Sequence, residues 1–304
     1  RLPRHPTAQS TWAEPKRVMA AGSPPPISPV SQHRQMQDHP NQLCALFATG
    51  RSGSTWVGSM LNAHPDVAYR FEPFSRLKTD TSTAHLFTRL RDGSFSGRDL
   101  DELYNVLLTA DARTEKPPFF HKAKHRTRGR NQLWPIARSF SSANTVFKRL
   151  YTPPAGTTVV FKEVTQLAAM RTLLRNTDVP IVYLVRNPFG TVDSLLRGQA
   201  AGKMPTGRLT VLDDLIRKHD PDLYARYEGC YDRLSLATQN ALLWRMDVEA
   251  ALHAIRVAGR GCVVTFERIC DDAHREMQKI CNEFRIDYHH NVQHFVNKLY
   301  DLNG

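Results

Sequence analysis

Four short apolar runs stand out along the chain, at residues 43–49, 158–161, 180–185 and 262–266. Each is bounded by glycine or polar residues, the pattern of a strand buried on both faces. Residues 56–61, 166–175 and 188–197 follow the first three runs with apolar side chains at helical spacing. Further helices are predicted at residues 83–91, 99–109, 209–219 and 234–258, and 113–133 reads as a polar, basic excursion. Apolar strands that alternate with helices predict an α/β fold, three layers with a central, mainly parallel sheet covered by helices on both faces. Residues 1–41 are rich in Pro, Ser, Gln and His and lack apolar periodicity, so a disordered or extended leader is expected there. The rest, 42–304, is expected to form one domain without internal repeats.

Composition narrows the class of partner. The 41 Lys and Arg residues exceed the 29 Asp and Glu residues, which leaves a net charge of +12. That balance favours an anionic partner: a nucleotide, a sulfated glycan, nucleic acid or a membrane surface. An apolar fraction of 41% is enough to fill a substantial core. Cys44, Cys230, Cys262, Cys270 and Cys281 are odd in number and hold no C-x-x-C pair, which indicates neither a disulfide framework nor a zinc site. Cys44 and Cys262 lie in apolar runs and are expected to be buried thiols. No apolar stretch approaches the length of a transmembrane helix, so the chain as given reads as soluble, without a membrane span.

The chemistry begins at Thr49-Gly50-Arg51-Ser52-Gly53-Ser54-Thr55, between a predicted strand and a predicted helix. Backbone N–H groups and a helix N-terminus converge on an anion in such a loop. Gly50 and Gly53 would allow the tight path, Ser54 and Thr55 add hydroxyls, and Arg51 adds a fixed charge. The nucleoside-triphosphatase form G-x-x-x-x-G-K-[ST] is absent, because no Lys follows Gly53. A turn that binds nothing is the plain alternative. A second element is Arg186, at the end of a predicted strand, with Ser194 eight positions later in the next helix. Together they can clasp a second phosphate at the carboxyl edge of the same sheet, where open α/β folds bind ligands.

Gly50-Arg-Ser-Gly-Ser-Thr-Trp56 resembles the 5′-phosphosulfate loop of sulfotransferases, and Arg186 with Ser194 resembles their 3′-phosphate motif. The likeness is greatest to the carbohydrate and tyrosylprotein branches, through Asn62-Ala-His-Pro65-Asp66 and then Glu72, and it extends over about residues 43–290. Val263-Val-Thr-Phe-Glu267 resembles a late strand end of the family, with Phe266 where Tyr is usual. The resemblance implies transfer of a sulfuryl group from 3′-phosphoadenosine-5′-phosphosulfate to a hydroxyl, with a glycan as the expected acceptor, adenosine 3′,5′-bisphosphate as product and no metal. It implies donor binding by Arg51, Ser52, Gly53, Ser54, Thr55, Trp56, Arg186 and Ser194. It also implies Glu72 as general base, with Lys162 and Arg51 reaching the leaving oxygen. Two compartments are compatible with it, the cytoplasm or, with an anchor upstream of Arg1, the Golgi lumen.

Plainer readings stand beside these. Glu72 is alternatively a salt-bridged carboxylate, Glu163 the local ion-pair partner of Lys162, and His64 either the base or part of a helix end before Pro65. The run 121–130, with five Lys/Arg and two His, is either a solvated loop or an electrostatic guide. Trp134 and Trp244 read as core or cofactor-edge aromatics. The competing functions are a nucleotide kinase or triphosphatase on the same architecture, and a non-enzymatic module for polyanions. No base-reading motif supports nucleic acid as the partner.

Overall fold

A computed structural model of the chain describes residues 42–301 apart from 205–207, 228–229 and 231–232. The expected leader lies outside the described residues, as do residues 302–304 of the expected domain. The first half runs β1 (Leu43–Ala48), α1 (Ser54–Asn62), β2 (Val67–Phe71), α2 (Pro73–Arg76), α3 (Thr81–Asp92) and α4 (Leu100–Leu108). It continues through α5 (Arg130–Ser139), α6 (Ser141–Tyr151), β3 (Thr158–Val164), α7 (Leu167–Asn176), β4 (Ile181–Val185) and α8 (Pro188–Ala200). Then come α9 (Leu212–His219), α10 (Pro221–Tyr227), α11 (Leu236–Ala258), β5 (Cys262–Thr265), α12 (Phe266–Asp271), α13 (Ala273–Glu283) and α14 (His290–Asp301).

The strands form a five-stranded sheet in the order β2-β3-β1-β4-β5, and every neighbouring pair is parallel. Because side chains alternate across a strand, β1 sends Leu43, Ala45 and Phe47 to one layer and Cys44, Leu46 and Ala48 to the other. The first set packs with Phe161 and Ile181 against Leu86, Leu107 and Leu173 of α3, α4 and α7. The second packs with Val160 and Val182 against Val57 and Leu61 of α1 and Met277 and Ile280 of α13. This is the three-layer α/β architecture that the apolar runs predict. Each fully buried Leu, Ile or Phe contributes on the order of 1.5–3 kcal/mol, so the paired layers hold the sheet edge-on as a rigid base for the loops at its carboxyl end.

Several elements depart from the pattern. β2 was not anticipated, because Arg70 interrupts its apolar alternation. That guanidinium is buried all the same: it donates to the Leu107 and Leu108 carbonyls at 2.6 Å each and to Glu115 at 2.9 Å. Part of the expected basic excursion is α5, followed by α6, and α13 and α14 carry enough polar residues to hide their buried faces. The five cysteines are free; Cys44 and Cys281 are buried, whereas Cys262 is only half-buried. Among the described residues no helix is long and apolar enough to cross a membrane.

Candidate active site

The loop after β1 turns through two left-handed residues, Arg51 at φ 66° and Gly53 at φ 83°. Gly53 is required twice over, since a Cβ there would lie 2.3 Å from the Phe266 ring. Gly50 differs from expectation: its φ is not positive and a Cβ would meet open space. Ser52 is buried and its hydroxyl donates to the Thr49 carbonyl at 2.8 Å, which leaves its backbone N–H as the group available to a ligand. Ser54 and Thr55 occupy the first turn of α1, where backbone N–H groups lack helical acceptors.

The second predicted element touches the first. Arg51 Nε donates to Ser194 Oγ at 2.9 Å, and Arg186 Nη1 donates to the Arg51 carbonyl at 3.3 Å. Phe266 lies beneath both: the Arg186 guanidinium is 4.8 Å from its ring centre, and Trp56 meets it edge-on at 5.9 Å. Trp244 Nε1 donates to the Arg186 carbonyl at 3.0 Å, which assigns this tryptophan to the edge of the site. Glu267 accepts from Asn187 N and Nδ2, at 3.0 and 2.6 Å, and Asn187 caps α8 through Gly190 N. Arg186 Nε and the hydroxyls of Thr191 and Thr49 are shielded from solvent and have no hydrogen-bond partner. Buried donors without partners are costly, and Arg186 and Thr191 belong to the same β4–α8 segment as Ser194. Thr191 went unanticipated, although its place one turn before Ser194 was legible in the helix spacing.

Glu72 and Lys162 form the other half of the site. Phe71 pairs with Lys162 in the sheet, and Glu72, just past the end of β2, donates its N–H to the Lys162 carbonyl at 2.8 Å. Glu72 adopts a left-handed backbone at φ 49°, an uncommon conformation for a residue with a side chain and one found at functional sites. Its Oε1 accepts from Lys162 Nζ at 2.5 Å, and Arg76 lies 3.8 Å from Oε2. The Lys162 side chain is 2% exposed and that of Glu72 is 22% exposed. Burial pushes the Lys162 ammonium below its ordinary range, and Glu72 opposes that shift. Lys116, unforeseen from the sequence, lies 4.4 Å from the Phe71 ring centre, as does Lys162. Burial lowers Lys116 too, while the nearby Glu72 charge pulls it up.

Three of the plainer readings are corrected. Glu163 is not the partner of Lys162: consecutive strand residues face opposite layers, and Glu163 Oε1 accepts from Phe74 N at 2.5 Å. Glu72 is the partner, so the salt-bridge reading of that carboxylate describes the pair seen here. His64 is not beside the loop. It follows α1, which runs back from the carboxyl edge of the sheet, so it lies at the opposite edge, where Nε2 meets Asp287 at 3.0 Å and Nδ1 accepts from Asp66 N. Burial holds His64 below its usual range, and both ring nitrogens are engaged. The run 121–130 is no simple solvated loop either, because Lys122 and Arg130 are buried. Trp134 donates to the Ala112 and Glu115 carbonyls and supports that segment.

The structure therefore joins Arg51, Arg186 and Ser194 in one cluster and Glu72 with Lys162 in a second. A cradle of donors and a carboxylate beside a buried cation can bind an anion and accept a proton. The Sulfotransferase family model matches residues 46–290, and the chain belongs to that family. It is a transferase of that class. Solved structures similar to it include the sulfotransferase domain from the curacin biosynthetic pathway, 13% identical, covering 83% of this chain and 76% of that one at a TM-score of 0.43. The sulfotransferase domain from the Synechococcus PCC 7002 olefin synthase is 18% identical, covering 85% and 78%, at 0.40. Retinol dehydratase in a complex with retinol and PAP is 14% identical, covering 84% and 64%, at 0.35. No curated protein matches the chain.

Proposed function

We propose that the chain, through a catalytic domain spanning residues 42–304, transfers a sulfuryl group from 3′-phosphoadenosine-5′-phosphosulfate to a hydroxyl on a carbohydrate. The observation that carries this reading is the contact of Arg51 with Ser194 and Arg186, beside unpartnered donors on Arg186 and Thr191. In it, the N–H groups of the loop from Ser52 to Thr55 take the 5′-phosphosulfate, with Trp56 packed on Phe266 behind them. Arg186, Ser194 and Thr191 take the 3′-phosphate.

The acceptor hydroxyl attacks sulfur, its proton passes to Glu72, and the bond from sulfur to the bridging oxygen breaks as adenosine 3′,5′-bisphosphate leaves. Lys162 and Arg51 stabilise the charge that grows on that oxygen, a role that a fixed cation fills best where little water enters. The Glu72–Lys162 pair adds a link between the two steps. Once Glu72 holds a proton it no longer attracts Lys162, so the ammonium is released toward the departing oxygen as the charge there develops. The glycan acceptor rests on the family likeness of the loop and on the cations Arg76 and Lys116 around Glu72.

Calorimetry on Arg186→Ala tests the donor assignment. Affinity for adenosine 3′,5′-bisphosphate should fall by about 10²-fold, the scale of a lost charge-assisted contact, while affinity for adenosine 5′-phosphate changes little. Equal losses for the two ligands would refute the placement of the 3′-phosphate.

A further inference from the structure

Glu163 follows Lys162 on β3 and has no part in the chemistry above. It is fully buried, and burial raises its carboxyl to about 8, so at neutral pH it is an uncharged acid. A polar group costs stability in such a place unless it meets a partner. The partner is Phe74 N, which donates to Glu163 Oε1 at 2.5 Å.

That N–H belongs to the turn that presents Glu72. Glu72 stands immediately before Pro73–Arg76, the position from which a side-chain oxygen ordinarily accepts a backbone N–H of the first turn. Its carboxylate does not do so. Pro73 has no N–H, and Ser75 N and Arg76 N donate to the Glu72 carbonyl at 3.2 and 3.0 Å, so Phe74 N is the donor left over. Water does not reach it: Phe74 is 3% exposed, and its ring packs on those of Phe87 and Phe161, with centres 4.9 and 5.3 Å away. With Glu163 holding this donor, the Glu72 carboxylate reaches Lys162 Nζ at 2.5 Å instead. The left-handed backbone of Glu72 is unfavourable for a residue with a side chain and persists only where the surroundings hold it. Two adjacent residues of β3 do so, Lys162 through its carbonyl, which accepts from Glu72 N at 2.8 Å, and Glu163 through its side chain.

We propose that Glu163 is a positioning residue: by capping Phe74 N in place of Glu72, it keeps the Glu72 carboxylate turned toward Lys162. Its consequence for proton transfer rests on the sulfotransferase reading above, whereas the placement of Glu72 does not. Without an acceptor at 163, Phe74 N is a buried donor with no partner, which is costly. Glu72 then relaxes to the extended backbone usual at its position, with its carboxylate on Phe74 N. Lys162 is left without its counter-charge.

The test follows the titration of Lys162 by NMR, with isotope-labelled lysine, in Glu163→Gln and Glu163→Leu. Both variants remove the Glu163 charge, and only Gln offers Phe74 N an acceptor. The other charges around the pair, Lys116 and Arg76, are common to both. Lys162 should lose its proton at lower pH in Glu163→Leu than in Glu163→Gln, and in a Glu72→Gln background the two should titrate alike. Affinity for adenosine 3′,5′-bisphosphate should be the same in both Glu163 variants. Under the sulfotransferase reading, kcat in Glu163→Leu should be about 10²-fold below that in Glu163→Gln, the scale of a misplaced catalytic group. Equal Lys162 titrations in the two variants, or a difference that persists in the Glu72→Gln background, would overturn the proposal. A lower titration of Lys162 with equal kcat supports the positioning and removes Glu72 from the role of base. If Glu163→Leu does not fold, the crystal structure of Glu163→Leu combined with Lys162→Met, which strands no ammonium, decides the matter. Glu72 bonded to Phe74 N there supports the proposal, and Glu72 turned elsewhere overturns it.

Discussion

Removing either partner of the Glu72–Lys162 pair should affect stability very unequally. Lys162 is 2% exposed and Glu72 is 22% exposed, and the two are 2.5 Å apart. Glu72→Gln leaves an ammonium buried without its counter-charge; stranding one member of a buried pair costs about 3–5 kcal/mol. Lys162→Met leaves a carboxylate that water and Arg76 still reach, and the new methionine buries an apolar chain of similar length, so a loss of about 1 kcal/mol is expected. The difference of roughly 2–4 kcal/mol corresponds to at least 4 °C in melting temperature at this size. The double variant should recover most of what Glu72→Gln loses. The penalty also has a pH signature. Burial already lowers the Lys162 pKa in the fold, and loss of Glu72 lowers it further. Between the folded value and about 10.4, the value for an unfolded lysine, the unfolded chain binds more protons and stability rises with pH. The Glu72→Gln deficit should therefore be greatest at neutral pH and shrink as pH climbs toward 10. Thermal melts of the four proteins across that range provide the assay. Equal losses in the single variants, or additive losses in the double variant, would refute the reasoning.

Three further outcomes concern Glu163, Gly53 and, for catalysis, Lys162 again. Burial raises the Glu163 carboxyl to about 8, against about 4.3 when unfolded, so the native state holds a proton that the unfolded chain releases and stability falls as pH rises through that window. Glu163→Gln, which keeps an acceptor for Phe74 N, should melt progressively higher than wild type from pH 5 to 8 in a pH series; parallel curves would count against a buried, proton-holding Glu163. Gly53→Ala should cost about 2–4 kcal/mol in urea denaturation, from its left-handed backbone and the 2.3 Å approach to Phe266, whereas Gly50→Ala should stay within about 0.5 kcal/mol; a tolerated Gly53→Ala would sink that account. Under the proposed function, Lys162→Met should cut kcat by about 10²–10³-fold with little change in donor affinity, and weakened binding at intact kcat would deny the lysine its transition-state role.

The strands at 43–49, 158–161, 180–185 and 262–266 were legible because burial on both faces writes itself into a local run of apolar residues. The loop at 50–55 was legible for a similar reason: a strand, a glycine turn and a helix are local properties. β2 was not, because the Arg70 that spoils its pattern is neutralised by Glu115, 45 positions away. Likewise, residue order placed Glu163 beside Lys162, but the alternation of the strand separates them, and the position of β2 next to β3 brings Glu72 to the lysine instead. His64 is near the loop in sequence and at the opposite edge of the sheet in space, because a helix of nine residues carries the chain there. Composition supplied the excess of positive charge, and only the packing of 113–130 against β2 decided that part of it would be buried. Local pattern therefore determined the elements and the types of residue at the site. Which of those residues meet was decided by strand order and by which face each side chain takes, both set by contacts between segments far apart in the chain.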